Sequence, residues 1–263
     1  MNAPLPQHML VVVQPPKAFV EQGLAKPGEL WTLHKAVYGL KISPRAWGIH
    51  RDDTFRSLKW SAGGIRYRLK QCDSDTQVWR IVEDTDDINS QHTLGLLVFY
   101  VDDFLVLSPE GGMRDELLSE FRAKWKMSDE VVLTETTPLT FLGLELRRDP
   151  AGVHLGQWKF IDNLLEKYGM TDANPLTSVQ MDAPGDEDIP DLQRLRALQA
   201  YAGEFNWLAT RSRADAAYFI SLLASALTKH AGWSEKLAKK VLRYLKGTKD
   251  EGLNLSIGGN ENS

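Results

Sequence analysis

Cysteine is almost absent from this chain: Cys72 is the only one in 263 residues. A lone thiol excludes an internal disulfide and suits a reducing compartment. No run of about 18 apolar residues occurs, so no membrane span is expected. The opening Met1-Asn2-Ala3-Pro4-Leu5-Pro6 lacks the basic start and apolar stretch of a signal peptide. The six histidines are scattered, with neither Cys-x-x-Cys nor His-Glu-x-x-His spacing, which argues against a zinc site. An excess of basic charge is missing too. Lys and Arg number 31 against 35 Asp and Glu, a net charge of −4, and this argues mildly against phosphate binding by the chain as a whole.

What is present is enough apolar side chain, 43% of residues, to bury a core in one or two domains. The charge is unevenly spread. Arg211, Arg213, Lys229, Lys236, Lys239, Lys240, Arg243, Lys246 and Lys249 crowd a segment with only Asp215 and Glu235, whereas Asp182 to Asp191 is acidic. A basic C-terminal segment can follow a phosphate backbone although the whole chain is acidic; the plainer reading is a solvated helix face.

The pattern predicts an α+β chain without internal repeats. Leu10 to Val13 reads as a strand stopped by Pro15-Pro16, and Leu30 to Val37 as a second apolar segment. Ser43 is a plausible N-cap with Pro44 at the first helical position, so a helix is expected from Pro44 to about Leu58. Val78 to Val82 reads as a strand. Leu94 to Tyr100 and Phe104 to Leu107 form a hairpin whose strands are apolar almost throughout, which implies cover on both faces. Helical spacing follows in Met113 to Trp125. Phe141 to Leu146 and Val153 to Leu155 flank Pro150-Ala151-Gly152 as a second hairpin. A helix through Ile161 and Tyr168 ends at Gly169. Residues 171–191, with three prolines and the acidic cluster, read as a linker. Three helices are expected at Leu192 to Thr210, Ala214 to Thr228 and Ser234 to Gly247, and a strand begins at Leu253.

The pairs Asp52–Asp53 and Asp86–Asp87 lie in polar surroundings where solvation explains them. Asp102–Asp103 sits instead at a tight turn between two apolar strands. Two like charges in partly buried surroundings repel each other and lose hydration. A divalent cation such as Mg2+ relieves both penalties, and carboxylates plus substrate phosphates are its preferred ligands. The competing reading is a solvated hairpin tip. A two-residue turn centred on Val101 and Asp102 favours a primed geometry with φ > 0 at Val101, which strains a β-branched residue.

Tyr100-Val101-Asp102-Asp103 resembles the catalytic motif of reverse transcriptases. Leu33 to Trp47, with Tyr38-Gly39-Leu40-Lys41 at its centre and Ser43-Pro44-Arg45-Ala46-Trp47 at its end, resembles the segment preceding that motif in copia-type retrotransposons. Phe141 to Leu146 resembles the family's primer-grip hairpin. Gly156 to Ile161 and Lys167 to Met170 resemble its thumb, and Leu242 to Thr248 its connection toward ribonuclease H. The likeness runs in order from about Gln14 to Leu255.

The resemblance implies a partial right-hand polymerase. Residues 1–170 would be part of the fingers and the palm, 171–191 an acidic linker, 192–250 a helical thumb and connection, and 251–263 the start of a ribonuclease H domain. It further implies two-metal nucleotidyl transfer with Mg2+ or Mn2+ on Asp102 and Asp103. Tyr38, Gly39, Lys41, Arg45, Tyr100 and Val101 would border template and incoming nucleotide, and Phe141, Leu142 and Gly143 would support the primer end. Plain alternatives are core packing for Tyr38, a backbone requirement for Gly39 and solvation for Lys41 and Arg45; Trp31 and Trp47 read as core aromatics. Implied partners are an RNA or DNA template-primer, deoxynucleoside triphosphates, and the protease, integrase and ribonuclease H parts of a Pol polyprotein. A cytoplasmic or nuclear location fits. The family's third carboxylate opens an Asp-x-x-x-Ala-Phe-Leu-Asn segment, of which Asn2-Ala3-Pro4-Leu5 resembles the end. That aspartate is therefore expected before Met1, and the chain by itself is expected to be inactive. The alternative is a non-catalytic nucleic-acid-binding remnant.

Overall fold

Pro15 and Pro16 cannot continue a ladder, so the first apolar run stops there. In a computed structural model describing residues 3–6, 9–87 and 92–256, Val11–Val13 (β1) pairs antiparallel with Trp31–Leu33 (β2), and the short helix Lys17–Glu21 (α1) lies between them in sequence. Ser43–Ser57 (α2) follows, with Pro44 in its first turn. Ser43 does not cap it; its hydroxyl donates instead to the Val37 carbonyl at 2.6 Å and ties the helix start to the preceding turn. Five strands then form one antiparallel meander: Lys59–Ala62 (β3), Ile65–Gln71 (β4), Val78–Glu83 (β5), Gly95–Tyr100 (β6) and Asp103–Leu107 (β7). Gly112–Lys124 (α3) completes the first of two compact units, residues 1–129 and 130–263.

Alternation along these strands sends Trp60, Tyr67, Leu69, Trp79, Ile81, Leu97 and Phe99 to one face, where they are buried. Helices α2 and α3 cover that face with Phe55, Leu117 and Phe121. Phe55 is the hub, its ring centroid lying 5.3 Å from Trp79, 5.7 Å from Phe99 and 5.4 Å from Phe121. Such contacts add about 0.5–1.5 kcal/mol each beyond burial. The Arg51 guanidinium is buried over the Phe99 ring at 4.4 Å and paired with Asp52. The other face is not packed to the same degree: Leu96, Val98 and Leu105 are half-buried and Leu107 is 48% exposed. Among the described residues, cover is thus complete on one face and partial on the other, where Val82 is buried.

In the second unit, Leu139–Phe141 (β8), Leu144–Asp149 (β9), Gly152–Gly156 (β10) and Leu253–Ser256 (β11) form a sheet in the order β11-β10-β9-β8. The run from Phe141 to Leu146 is therefore not one strand. It turns at Leu142 and Gly143, both with positive φ (55° and 77°), the backbone of a type I′ hairpin. The Asp149 carboxylate accepts from the Ala151 and Gly152 amides and closes the next turn. Trp158–Lys167 (α4), Leu192–Ala209 (α5), Ala217–Ala226 (α6) and Ala231–Gly247 (α7) pack around Phe205, Leu208, Leu223, Leu237, Val241 and Leu245. Asp191 caps α5 by accepting from the Arg194 amide. The expected divisions at 170 and 191 both fall inside this unit. No helix among the described residues is long and apolar enough to cross a membrane.

Residues 171–190 were expected to be a linker, but they run as a strap held along α7. Lys246 donates to the carbonyls of Thr171 and Ala173, Arg243 to Asn174, Lys240 to Gln180 and Trp233 to Asp182. The Leu176 amide donates to the Arg243 carbonyl, and Asp188 accepts from the Gly232 amide at the helix start. Arg213, wholly buried, pairs with Asp215 and donates to Thr248, and Lys229 and Lys249 pair with Glu187 and Asp162. The basic stretch is therefore neither a bare solvated face nor an open phosphate track, because backbone carbonyls and carboxylates already occupy most of its cations.

Where the strap crosses α7 there is no room for a side chain: a Cβ on Gly247 would lie 2.2 Å from the Leu176 carbonyl oxygen. Gly247→Ala is expected to destabilise the protein by about 2 kcal/mol in urea unfolding; an unchanged midpoint would mean the strap is not seated there. His154, on β10, reaches Asn254 of β11 at 2.6 Å and Asp149 at 2.7 Å, and these two bonds raise its pKa above the ordinary 6.5. A raised folded value means the stabilisation is complete below about pH 6.5 and is lost as pH rises through the folded pKa. Hydrogen exchange at the β10–β11 amides should accelerate from pH 6 toward pH 8 beyond its intrinsic increase, and His154→Gln should remove that extra dependence.

Candidate active site

Strands β6 and β7 are joined by Val101 and Asp102 alone, with Tyr100 opposite Asp103. Val101 has φ +56° and Asp102 does not have positive φ, the pattern of a type II′ turn. The turn strain expected from the sequence is present, since left-handed backbone costs a residue with a Cβ about 1–2 kcal/mol. Two contacts hold it. Phe99 and Phe104 stack below the turn with centroids 6.3 Å apart. The indole N–H of Trp47, itself 8% exposed, donates to the Val101 carbonyl at 2.5 Å.

Tyr38 and Gly39 are the central residues of a turn in which the Leu40 amide donates to the Val37 carbonyl. Gly39 has φ +94°, as a type II turn requires at its third residue. The turn presents the Tyr38 hydroxyl to Asp102, and it donates to Oδ2 at 3.0 Å. This hydrogen bond, with the negative charge of Asp102 behind it, holds the phenol above its ordinary pKa. Two sequence segments 64 residues apart thus meet at one carboxylate. Lys41 and Arg45 are exposed just before and within the first turns of α2.

Asp102 and Asp103 are both exposed, as are Tyr38 (69%), Tyr100 (54%) and Val101 (47%). The expectation of partly buried surroundings is corrected: the flanking strands are apolar because one face of each is core, while the tip stands in solvent. Mutual repulsion of the pair is therefore softened by water. Among the described residues, no group of three or more His, Cys, Asp or Glu is placed to hold a metal ion. The hard carboxylate oxygens of the pair fit an oxygen-seeking divalent ion with positions left open for other ligands.

Phe141, Leu142 and Gly143 occupy the β8–β9 hairpin tip of the second unit. Gly143 packs against Trp207 of α5, where an added Cβ would sit 3.4 Å from the indole, and Arg211 lies 4.5 Å over that ring. Trp47 was read as core only. The signal that could have found its second role is its place in the Ser-Pro-Arg-Ala-Trp segment, one of the two stretches that meet at the tip. Replacing Val101 by Gly should raise unfolding free energy by about 0.5–1 kcal/mol, strain relief slightly exceeding the entropy cost of glycine. A clear loss of stability in urea unfolding would show that the turn is relaxed.

Comparison with known proteins accords with this geometry. Residues 1–181 match the family described as Reverse transcriptase (RNA-dependent DNA polymerase). The chain is 27% identical over 255 residues, 94% of its length, to the retrovirus-related Pol polyprotein from transposon RE1 of Arabidopsis thaliana. It is equally similar, 27% over 253 residues, to that from transposon RE2 of the same plant. It is 23% identical over 249 residues to the putative transposon Ty5-1 protein YCL074W of Saccharomyces cerevisiae, covering 91% of this chain and 71% of that protein. The chain spans only 15% and 16% of the RE1 and RE2 polyproteins. No solved structure matches it. From the family match over more than half its length, and from Pol relatives along nearly all of it, the chain belongs to the reverse transcriptase family, in the branch carried by copia-type retrotransposons.

Proposed function

We propose that the β6–β7 tip is the nucleotidyl-transfer centre of an RNA-directed DNA polymerase domain of a retrotransposon Pol polyprotein. The observation that carries this reading is the hydrogen bond from Tyr38 to Asp102, which joins the two motif segments at one point. In this reading the first unit is the palm with part of the fingers, and α5–α7 belong to the thumb and connection. Asp102 and Asp103 hold Mg2+ or Mn2+, and the bound ion supplies charge stabilisation at the phosphate oxygens of an incoming deoxynucleoside triphosphate.

The chain's own residues do the positioning. Tyr38 fixes the Oδ2 oxygen of Asp102 and leaves its second oxygen open. Trp47 pins the Val101 carbonyl, so the tip keeps its strained turn. Gly39 lets nucleic acid approach the backbone closely, Lys41 and Arg45 meet template or triphosphate, and Tyr100 and Val101 border template and incoming nucleotide. Phe141, Leu142 and Gly143, on the β8–β9 hairpin, are the primer-grip residues of this reading.

The alternative, a non-catalytic nucleic-acid binder acting through residues 211–249, is weakened by the strap and ion pairs that already occupy those cations. The assignment is tested by titrating Mn2+ into the protein and following the free-ion electron paramagnetic resonance signal. Asp102→Asn should weaken binding at least about tenfold, about 1.4 kcal/mol. Equal affinity in the variant would overturn the reading. Extension of a primed template that survives Asp102→Asn would also count against it.

A further inference from the structure

One indole pins the β6–β7 tip, and that indole must itself be held. Trp47 stands in the second turn of α2, and its hydrogen bond to the Val101 carbonyl depends on two side-chain torsions. Its ring neighbours set them. His50, one helical turn further on, has its centroid 6.1 Å away. Trp125 meets the Trp47 ring edge-to-face, with centroids 5.5 Å apart and planes at 69°.

Helix α3 ends at Lys124, and Trp125 is already extended (φ −134°, ψ 145°) while its amide still donates to the Phe121 carbonyl. That bond fixes where the residue leaves the helix. Besides Trp47, its ring meets Phe55 and Phe121 at 5.8 Å each and His50 at 6.5 Å. Two residues of α2, Trp47 and Phe55, therefore rest on one ring presented by α3. Trp125 is only half-buried, so burial alone would be satisfied by a leucine. An edge-to-face contact needs an aromatic ring, and its preferred angles transmit an orientation that aliphatic packing does not.

We propose that Trp125 is a positioning residue for the acid pair, acting through Trp47 on the Val101 carbonyl. The proposal rests on the polymerase reading for what the pair does, and on ring geometry and one hydrogen bond for how it is placed. Val101 is held left-handed, at φ +56°, against the preference of a β-branched residue. Without the Trp125 ring the Trp47 indole turns, the Val101 peptide loses its anchor and the turn relaxes toward ordinary dihedrals. Asp102 is the next residue and moves with it. Its carboxylate then leaves the position it shares with Asp103 and the Tyr38 hydroxyl.

The test compares Trp125→Leu and Trp125→Phe with Trp60→Leu, a control from the same core. Trp60 is buried against Tyr67, so its loss lowers stability without touching Trp47. The readouts are solvent exchange of the Trp47 indole N–H, followed by NMR, and Mn2+ affinity, both where every protein is folded. Trp125→Leu should speed the exchange and weaken Mn2+ binding, each by about threefold to tenfold, the worth of one hydrogen bond. Trp125→Phe keeps an edge-to-face ring and should bring both back to within about twofold. Trp60→Leu should lower the thermal midpoint and leave both readouts unchanged. Trp125→Met makes the same comparison where the leucine variant does not fold. Unaltered indole exchange in Trp125→Leu overturns the proposal, as does equal acceleration in Trp60→Leu or no rescue by phenylalanine. Mn2+ affinity that falls in Asp102→Asn but not in Trp125→Leu overturns it too. Failure of the tip reading shows separately, as Mn2+ binding that ignores Asp102→Asn while indole exchange still responds to Trp125→Leu.

Discussion

One hydroxyl holds the candidate site together. Tyr38 comes from a type II turn early in the chain, Asp102 from a hairpin tip 64 residues later, and their hydrogen bond is made in the open, not in a pocket. An exposed hydrogen bond is worth little by itself. It persists because both ends are carried by buried structure. Ser43 bonds the Tyr38 turn to α2, Trp47 of α2 bonds the tip, and Phe55 of the same helix packs on Trp79 and Phe99 beneath the hairpin. Helix α2 is thus the rigid part against which both segments are set, and aromatic packing in the core determines where two exposed carboxylates stand.

The same sheet separates stability from chemistry by its two faces. The inner one is a buried cluster of aromatic and aliphatic side chains. The outer one carries an acid pair, a half-buried apolar strip with the buried Val82 beside it, and a block of cations. Strained backbone at Val101 belongs to the same division, because a fold tolerates such a residue only where surrounding contacts over-determine it. Here those contacts are the Trp47 indole and the Phe99–Phe104 stack.

Local patterns in the sequence carried much of this. The β6–β7 hairpin and its valine turn, α2, α3 and the three C-terminal helices follow from periodicity, turn length and breakers. Tyr38 and Asp102 were named through likeness to a family, not through any property of the residues that predicts their contact. Strands β3 and β4 and the short helix α1 were not read at all, and two other parts escaped because their partners are far away or are backbone atoms. Residues 171–190 look like a linker in composition, yet their carbonyls accept from Lys240, Arg243 and Lys246, and a carbonyl leaves no mark in a sequence. The pairing of β11 with β10 spans about a hundred residues and cannot be read from either strand. Leu142–Gly143 hides a turn inside an apolar run, and only the glycine marked it.

The joint between Tyr38 and Asp102 can be measured directly by following ring-labelled tyrosines through a high-pH NMR titration. Tyr38 should titrate above the ordinary tyrosine value of 10.0 and fall back toward it in Asp102→Asn. A Tyr38 midpoint that is ordinary in both proteins would mean that the two segments do not meet at the tip.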